Sequence, residues 1–351
     1  MEGLILIFQT LVLNLLHLFN EERTVSAAYH LLRGKRSGQT IQDVGIFRLH
    51  EYFGVLPKLN RNQFDEQINQ LTEQQYISIL PDNRYMMSEF GLTKLKQSNK
   101  VTFDGWHYRG NEHLFFARLS LIVQTLSYQR VGNMKFIPIQ QNELIQQWVK
   151  HFLKGQQYQN GHLQSILLDE IISSLEKSNL EEREMSIMIN RLSGVNQPGY
   201  TWQQLSMNEN LSELDVQLLY IASLHSWLNH LTANEETYPL LNRIAESIRI
   251  DIPLTESANQ TAQLFKKGYS IEEISMIRKL KTSTIEDHIV ELAMNDRKFP
   301  YQSFLSDEDI QQVLQAMEDY QTKKLKVLHE VVPNLSYFQL RLVLARGDTM
   351  T

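Results

Sequence analysis

Arg278, Lys279 and Lys281 stand directly ahead of Thr282-Ser283-Thr284. Cations followed by hydroxyls at the start of a helix suit a phosphate oxygen, because charge, hydroxyl donors and first-turn amides converge on it. A second set, Lys323, Lys324 and Lys326 ahead of Tyr337 and Arg341, joins charge to an aromatic face, which suits single-stranded DNA. The same lysines also fit a solvated helix end, where cations favour the negative pole of the helix. A third set is Lys58, Arg61 and Asn62, with Gln63 beside them and Arg84 farther along.

Chemistry of other kinds lacks its residues. The glycine-lysine pair nearest a hydroxyl, in Gly34-Lys35-Arg36-Ser37, has no upstream glycine and puts arginine between lysine and serine, so it is not an ATPase phosphate loop. No G-x-S-x-G, H-E-x-x-H or strand-linked G-x-G-x-x-G motif occurs. The absence of cysteine excludes disulfides, thiolate zinc sites and cysteine nucleophiles, and fits a reducing cytoplasm. Eleven histidines are scattered. His107 and His113 lie beside Asp104 and Glu112, and His225 and His230 are five apart, off the three-or-four spacing of one helix face. Satisfied surface or core histidines account for both pairs better than a metal does. Acidic runs such as Glu181-Glu-Arg-Glu184 and Asp307-Glu-Asp309 open helices and favour the helix dipole. The expectation is therefore a binding protein with no catalytic residue, no cofactor and no metal.

The first cationic set needs a frame, and residues 255–295 supply one. Apolar residues recur at helical spacing at Ala262, Leu264 and Phe265, at Ile271, Ile274 and Ile277, and at Ile285, Ile289 and Leu292. Gly268 can end the first helix in a left-handed conformation and Ser270 can cap the second, with Glu272 and Glu273 at its positive end. Thr282 or Ser283 can cap the third, with Glu286 at capping-box distance. The short link Lys279–Lys281 forces a steep crossing, and this is a helix-turn-helix. Its second helix starts with Lys281, Thr282, Ser283 and Thr284 but carries Glu286, Asp287 and Glu291 along its body. Carboxylates repel the DNA backbone, so weak DNA contact or docking onto a protein is expected over base reading.

This block resembles the helicase-associated helix-turn-helix found at the C-terminus of many bacterial RecQ-type helicases. The resemblance continues through Lys324-Leu-Lys-Val-Leu-His-Glu330, Val332-Pro333 and Leu335–Ala345, and His288 matches a position that is often histidine in such recognition helices. The whole chain, without a helicase core, is similar to the YpbB family of low-GC Gram-positive bacteria. The match is most specific over the last 90 or so residues, looser over the N-terminal third and loosest in the middle. The resemblance implies a partner, a RecQ-like helicase encoded beside it.

The chain has 351 residues, 42% of them apolar, enough for two or three domains. Its net charge of −6 argues against whole-surface attraction to DNA, so contact must be local. The apolar run from Leu4 to Phe19 opens with Glu2 and is interrupted by Gln9, Thr10, Asn14 and His17, which predicts a core or interface helix, not a membrane span or signal peptide.

Helices are predicted over Arg23–Arg33, Gln39–Phe53 and Asn60–Gln74, then a hairpin of Tyr76–Leu80 and Tyr85–Ser88 about the turn Pro81-Asp-Asn-Arg84. Three helices and a hairpin give the winged-helix order. Lys58, Arg61, Asn62 and Gln63 open its recognition-type helix, Arg84 tips its wing, and both DNA contact and protein docking stay open. From Asp104 to Arg249 helices follow one another in a bundle, and Thr201–Val216 has a helix, turn, capped-helix order of its own. Asp251-Ile-Pro-Leu254 reads as a linker, Ser306 or Asp307 caps a helix over Asp307–Lys324, and Tyr337–Leu344 forms the last.

The expected fold is mainly α: a winged-helix-like domain over residues 1–103, an all-α middle over 104–250 and a helix-turn-helix domain over 255–351. The expected role is that of a non-enzymatic accessory of a RecQ-like helicase in DNA replication or repair. It would bind DNA weakly or by structure, in the cytoplasm or on the nucleoid and without a membrane. A dimeric transcription regulator and a DNA-independent adaptor are the alternatives.

Overall fold

A computed structural model describes residues 6–346 apart from 157, 159, 160, 253 and 297. Leu4 and Ile5 of the apolar run and Pro253 of the linker lie outside the described residues. The helices are α1 (Ile7–Leu18), α2 (Val25–Leu32), α3 (Gly38–Ile46), α4 (Arg61–Glu73), α5 (Glu89–Gln97), α6 (Gly105–Tyr108), α7 (Glu112–Arg130), α8 (Glu143–Gly155), α9 (His162–Lys177) and α10 (Glu182–Ile189). Then come α11 (Trp202–Glu209), α12 (Glu213–Ala233), α13 (Pro239–Ile244), α14 (Glu256–Lys266), α15 (Ile271–Arg278), α16 (Thr282–Asn295), α17 (Asp307–Tyr320), α18 (Leu325–Val331) and α19 (Tyr337–Arg346). Strands β1 (Ile77–Ile79) and β2 (Tyr85–Met87) pair antiparallel between α4 and α5, with Ser78 opposite Met86. The fold is mainly α, and no helix among the described residues is long and apolar enough to cross a membrane.

The chain divides into two compact units. Unit 1 comprises Met1–Val12, Val55–Pro57 and Leu95–Ile250; unit 2 comprises Leu13–Gly54, Lys58–Lys94 and Asp251–Thr351.

Unit 1 is a helical bundle centred on α7 and α12. Both are apolar around most of their circumference, and Phe115, Leu119, Ile122, Val216, Leu224 and Trp227 are almost wholly buried. Several polar groups inside it are paired, which offsets the cost of burying them. The Trp227 indole donates to Ser174 Oγ at 2.9 Å, and Glu170 accepts from the Leu240 and Leu241 amides that open α13. Asp215 Oδ1 accepts from the Phe8 amide at 2.7 Å. Asp104 binds His107 at 2.5 Å and Arg249 at 2.8 Å, while its amide donates to His225 Nδ1 at 3.0 Å. That bond leaves the His225 proton on Nε2, 3.5 Å from the buried Glu112. No group of three or more metal-binding side chains occurs among the described residues. The helix, turn, capped-helix order near Thr201 is present as α11 and α12, capped by Thr201 and Ser212. Past its exposed start at Ser212 and Glu213, α12 is the core helix of the bundle.

Unit 2 joins α2, α3, α4 and the hairpin, which follow one another in the expected winged-helix order, to the C-terminal helices. The Leu13–Leu18 turns of α1 belong to it: Tyr85 of the hairpin donates to Leu16 O, and Asn14 donates to the Tyr52 hydroxyl at 2.8 Å. The helix expected over Gln39–Phe53 stops at Ile46, because Phe47 turns onto Phe19 with ring centroids 5.3 Å apart and Arg48 takes a left-handed φ of 56°. Glu22 accepts from the Thr322 hydroxyl and the Lys323 amide, each at 2.9 Å, tying the α1–α2 turn to the α17–α18 turn. On α3, Gly45 lets Met294 of α16 approach to where a Cβ would be only 2.8 Å from its thioether.

Candidate nucleic-acid interface

The α14–α15–α16 geometry follows from its caps. Thr255 caps α14, Gly268 turns at a φ of +89°, and Ser270 forms a reciprocal capping box with Glu273. Lys279 then takes a left-handed φ of 51° to close α15. The expected cap at Thr282 or Ser283 does not form. Helix α16 begins at Thr282 behind Lys281, which gives no side-chain cap, and Glu286 turns instead to Arg341 at 3.6 Å. A salt bridge with an arginine of α19 outcompetes the local box.

Past its first turn α16 is enclosed. Ile285, His288, Ile289, Val290, Glu291, Leu292 and Ala293 are buried against α14, α19 and α3. Burying Ile285, Ile289 and Leu292 contributes about 1.5–3 kcal/mol each, so the helix body is core. Its carboxylates serve that packing. Glu291 accepts from the Thr255 amide and hydroxyl, and Asp287 accepts from Gln42 at 2.9 Å and pairs with Arg341. A cleft of 400 Å³ remains where α3 meets α14 and α16, lined by Arg36, Gln42, Ser257 and Asp287 among others.

The first cationic set is thereby divided. Arg278 turns inward, donating to Ser257 O at 2.6 Å and Thr261 Oγ1 at 2.5 Å, with Gln260 at 3.0 Å. His288 is buried, its Nδ1 2.9 Å from Thr261 Oγ1 and 3.3 Å from Arg278. Burial first, then the Arg278 charge, lowers its pKa and keeps the ring neutral. Lys279, Lys281, Thr282 and Ser283 are exposed and Thr284 half-buried. Beside them on α15, Met276 is 71% and Ile277 52% exposed.

The other sets divide in the same way. Lys323 reaches Ile46 O at 2.9 Å, whereas Lys324 and Lys326 face solvent. Arg341 is held by Glu286 and Asp287, so it does not join those lysines on an open face. Lys58, Arg61, Asn62 and Arg84 are exposed; Arg61 holds Asp65 at 2.9 Å, and Arg84 follows the left-handed residues Asp82 and Asn83 at the wing tip. Gln42, Gly45 and Met294, which bring α3 to α16, carry no signal in sequence: they are ordinary core-facing residues far apart in the chain.

A family model described as a helix-turn-helix domain matches residues 257–344, from α14 into α19. Protein YpbB of Bacillus subtilis (strain 168) is 32% identical over 349 residues, which is 97% of this chain and 97% of that protein. The chain belongs to the YpbB family. No solved structure matches it. This YpbB-family chain thus has a helix-turn-helix domain, with the first turn of its second helix open and the rest of that helix enclosed.

Proposed function

We propose that the chain is a non-enzymatic accessory of a RecQ-like DNA helicase, adding weak DNA contact and targeting in replication or repair. The observation that carries the DNA part is the open end of α16. Lys279, Lys281, Thr282 and Ser283 are exposed there, and an unblocked helix start with two lysines suits a phosphate. Seven enclosed residues behind it keep the helix from lying along a groove, so contact of this kind is independent of base sequence. The helicase part rests on the resemblance of the C-terminal block to the one attached to RecQ-type helicases. Supplied on a separate chain, such a module raises the local concentration of the helicase at DNA. The site of action in this reading is the cytoplasm and nucleoid.

The test is to purify the tagged protein from its own cells with nuclease present and identify what stays bound. Retention of a RecQ-like helicase supports the reading. Loss of the helicase, with defined chromosomal sites enriched in an untreated parallel sample, replaces it with a transcription regulator. The exposed Met276 and Ile277 favour a second reading, a protein-docking adaptor. That reading predicts helicase retention together with indifference to DNA.

A further inference from the structure

The winged helix gathers cations that the helix-turn-helix block does not use. We propose that Arg33, Lys35, Lys58 and Arg61 form a second, independent surface that holds the phosphate backbone of duplex DNA. This deepens, and rests on, the DNA-binding part of the proposed function.

The organising residue is Tyr29 on α2, itself 8% exposed. The Arg33 guanidinium lies 5.6 Å and that of Arg61 5.1 Å from its ring centroid. Arg33 also donates to the Tyr29 hydroxyl at 3.2 Å, and that hydroxyl donates to Leu59 O at 3.4 Å, beside Lys58. One buried ring therefore fixes arginines from the end of α2 and the start of α4. Arg61 also donates to Asp65 at 2.9 Å and to Ser26 Oγ at 3.3 Å, and a guanidinium held in place in this way can still donate to a phosphate through its other N–H groups.

Lys35 is presented by a turn of fixed shape. Gly34 has a φ of +66°, and a Cβ on it would lie 2.9 Å from Gly54 Cα, so only glycine fits. Both glycine amides donate to Leu31 O at 2.9 Å and the Lys35 amide donates to His30 O at 3.0 Å. A turn that is already ordered lowers the entropic cost of binding. The field these residues make is legible at His30, where burial first, then Lys35, Arg61 and Arg33, disfavours the imidazolium.

Duplex DNA fits this face better than an acidic protein does. Helix α4, with Asn60 as its cap, starts beside the cluster and exposes Asn62, Gln63, Asn69 and Gln70, with no large apolar side chain to anchor a protein partner. Glu66 and Glu73 are exposed on the same helix, and Asp65 offsets Arg61, so the contact is with the backbone and not deep in a groove.

The test is fluorescence anisotropy of the full chain with a labelled duplex of about 20 base pairs over a salt series, with a single strand of the same length alongside. In Arg33→Gln/Lys35→Gln we expect binding about tenfold weaker at ~50 mM salt and a log–log salt slope smaller by about 2. Arg61→Lys keeps the charge and should keep the slope, and equal unfolding midpoints check that each variant folds. If the double variant binds as wild type does while Lys279→Gln/Lys281→Gln loses binding, this inference fails and the α16 contact stands. If the wild-type chain ignores the duplex, or takes the single strand or a poly-glutamate peptide in preference, both this surface and that contact fail. The helicase reading is judged separately, by whether the Arg33→Gln/Lys35→Gln chain still co-purifies with the helicase under nuclease.

Discussion

Glu291 on α16 receives both the backbone amide and the hydroxyl of Thr255, the residue that caps α14. One carboxylate, 4% exposed, thus orients the cap of one helix from the side of another and fixes the angle between them. Glu291→Ala leaves two part-buried donors without their acceptor and should cost about 1–2 kcal/mol. The urea midpoint measures it, and a midpoint equal to wild type would show the clasp to be idle.

Gly91 opens against the hairpin: a Cβ there would sit 2.3 Å from Tyr76 O, a backbone atom with no freedom to rotate away. Gly91→Ala gains about 1 kcal/mol of helix propensity but forces α5 away from Tyr76, the residue just ahead of β1, at a cost of about 2–3 kcal/mol. We expect net destabilisation, read as a lower melting temperature. A rise would mean that the hairpin yields.

His288 makes stability depend on pH. Its folded pKa lies below the ordinary 6.5, so below pH 6.5 the unfolded chain binds a proton that the folded chain refuses. Unfolding free energy should therefore fall as pH drops from 6.5 toward the folded pKa, with a slope of at most about 1.4 kcal/mol per pH unit for this group. His288→Gln should flatten that window. An unchanged slope in the variant assigns the dependence to another group.

Charge reversal at the open end of α16, in Lys279→Glu/Lys281→Glu, should weaken DNA binding several-fold at low salt and leave helicase co-purification intact. Both side chains are exposed, and an unfolding midpoint equal to wild type checks that the turn Lys279 makes at the end of α15 is kept. Loss of DNA and helicase together would place both on one surface.

Local signals told most of the secondary structure. Gly268, Ser270 with Glu273, and Ser306 with Asp309 act within a few residues, and the structure uses each as its local chemistry predicts. The failures came where a distant partner outbid a local one. Glu286 left its capping box for Arg341, and Phe47 ended α3 early by packing on Phe19. The site was legible in type but not in orientation. Arg278, His288 and Arg341 have the composition of a DNA contact, yet Thr261, Ser257 and Asp287 turn them inward. Glu286, Asp287 and Glu291 looked hostile to DNA in sequence; their partners Arg341, Gln42 and Thr255 account for them without it.

Unit 2 takes its early segments from residues before Lys94 and its late ones from Asp251 onward. During synthesis, the α3 face that will receive Met294 must wait while more than 150 residues leave the ribosome. A nascent chain paused before Asp251 would carry that face bare, and the N-terminal helices would be a natural client for a holding chaperone.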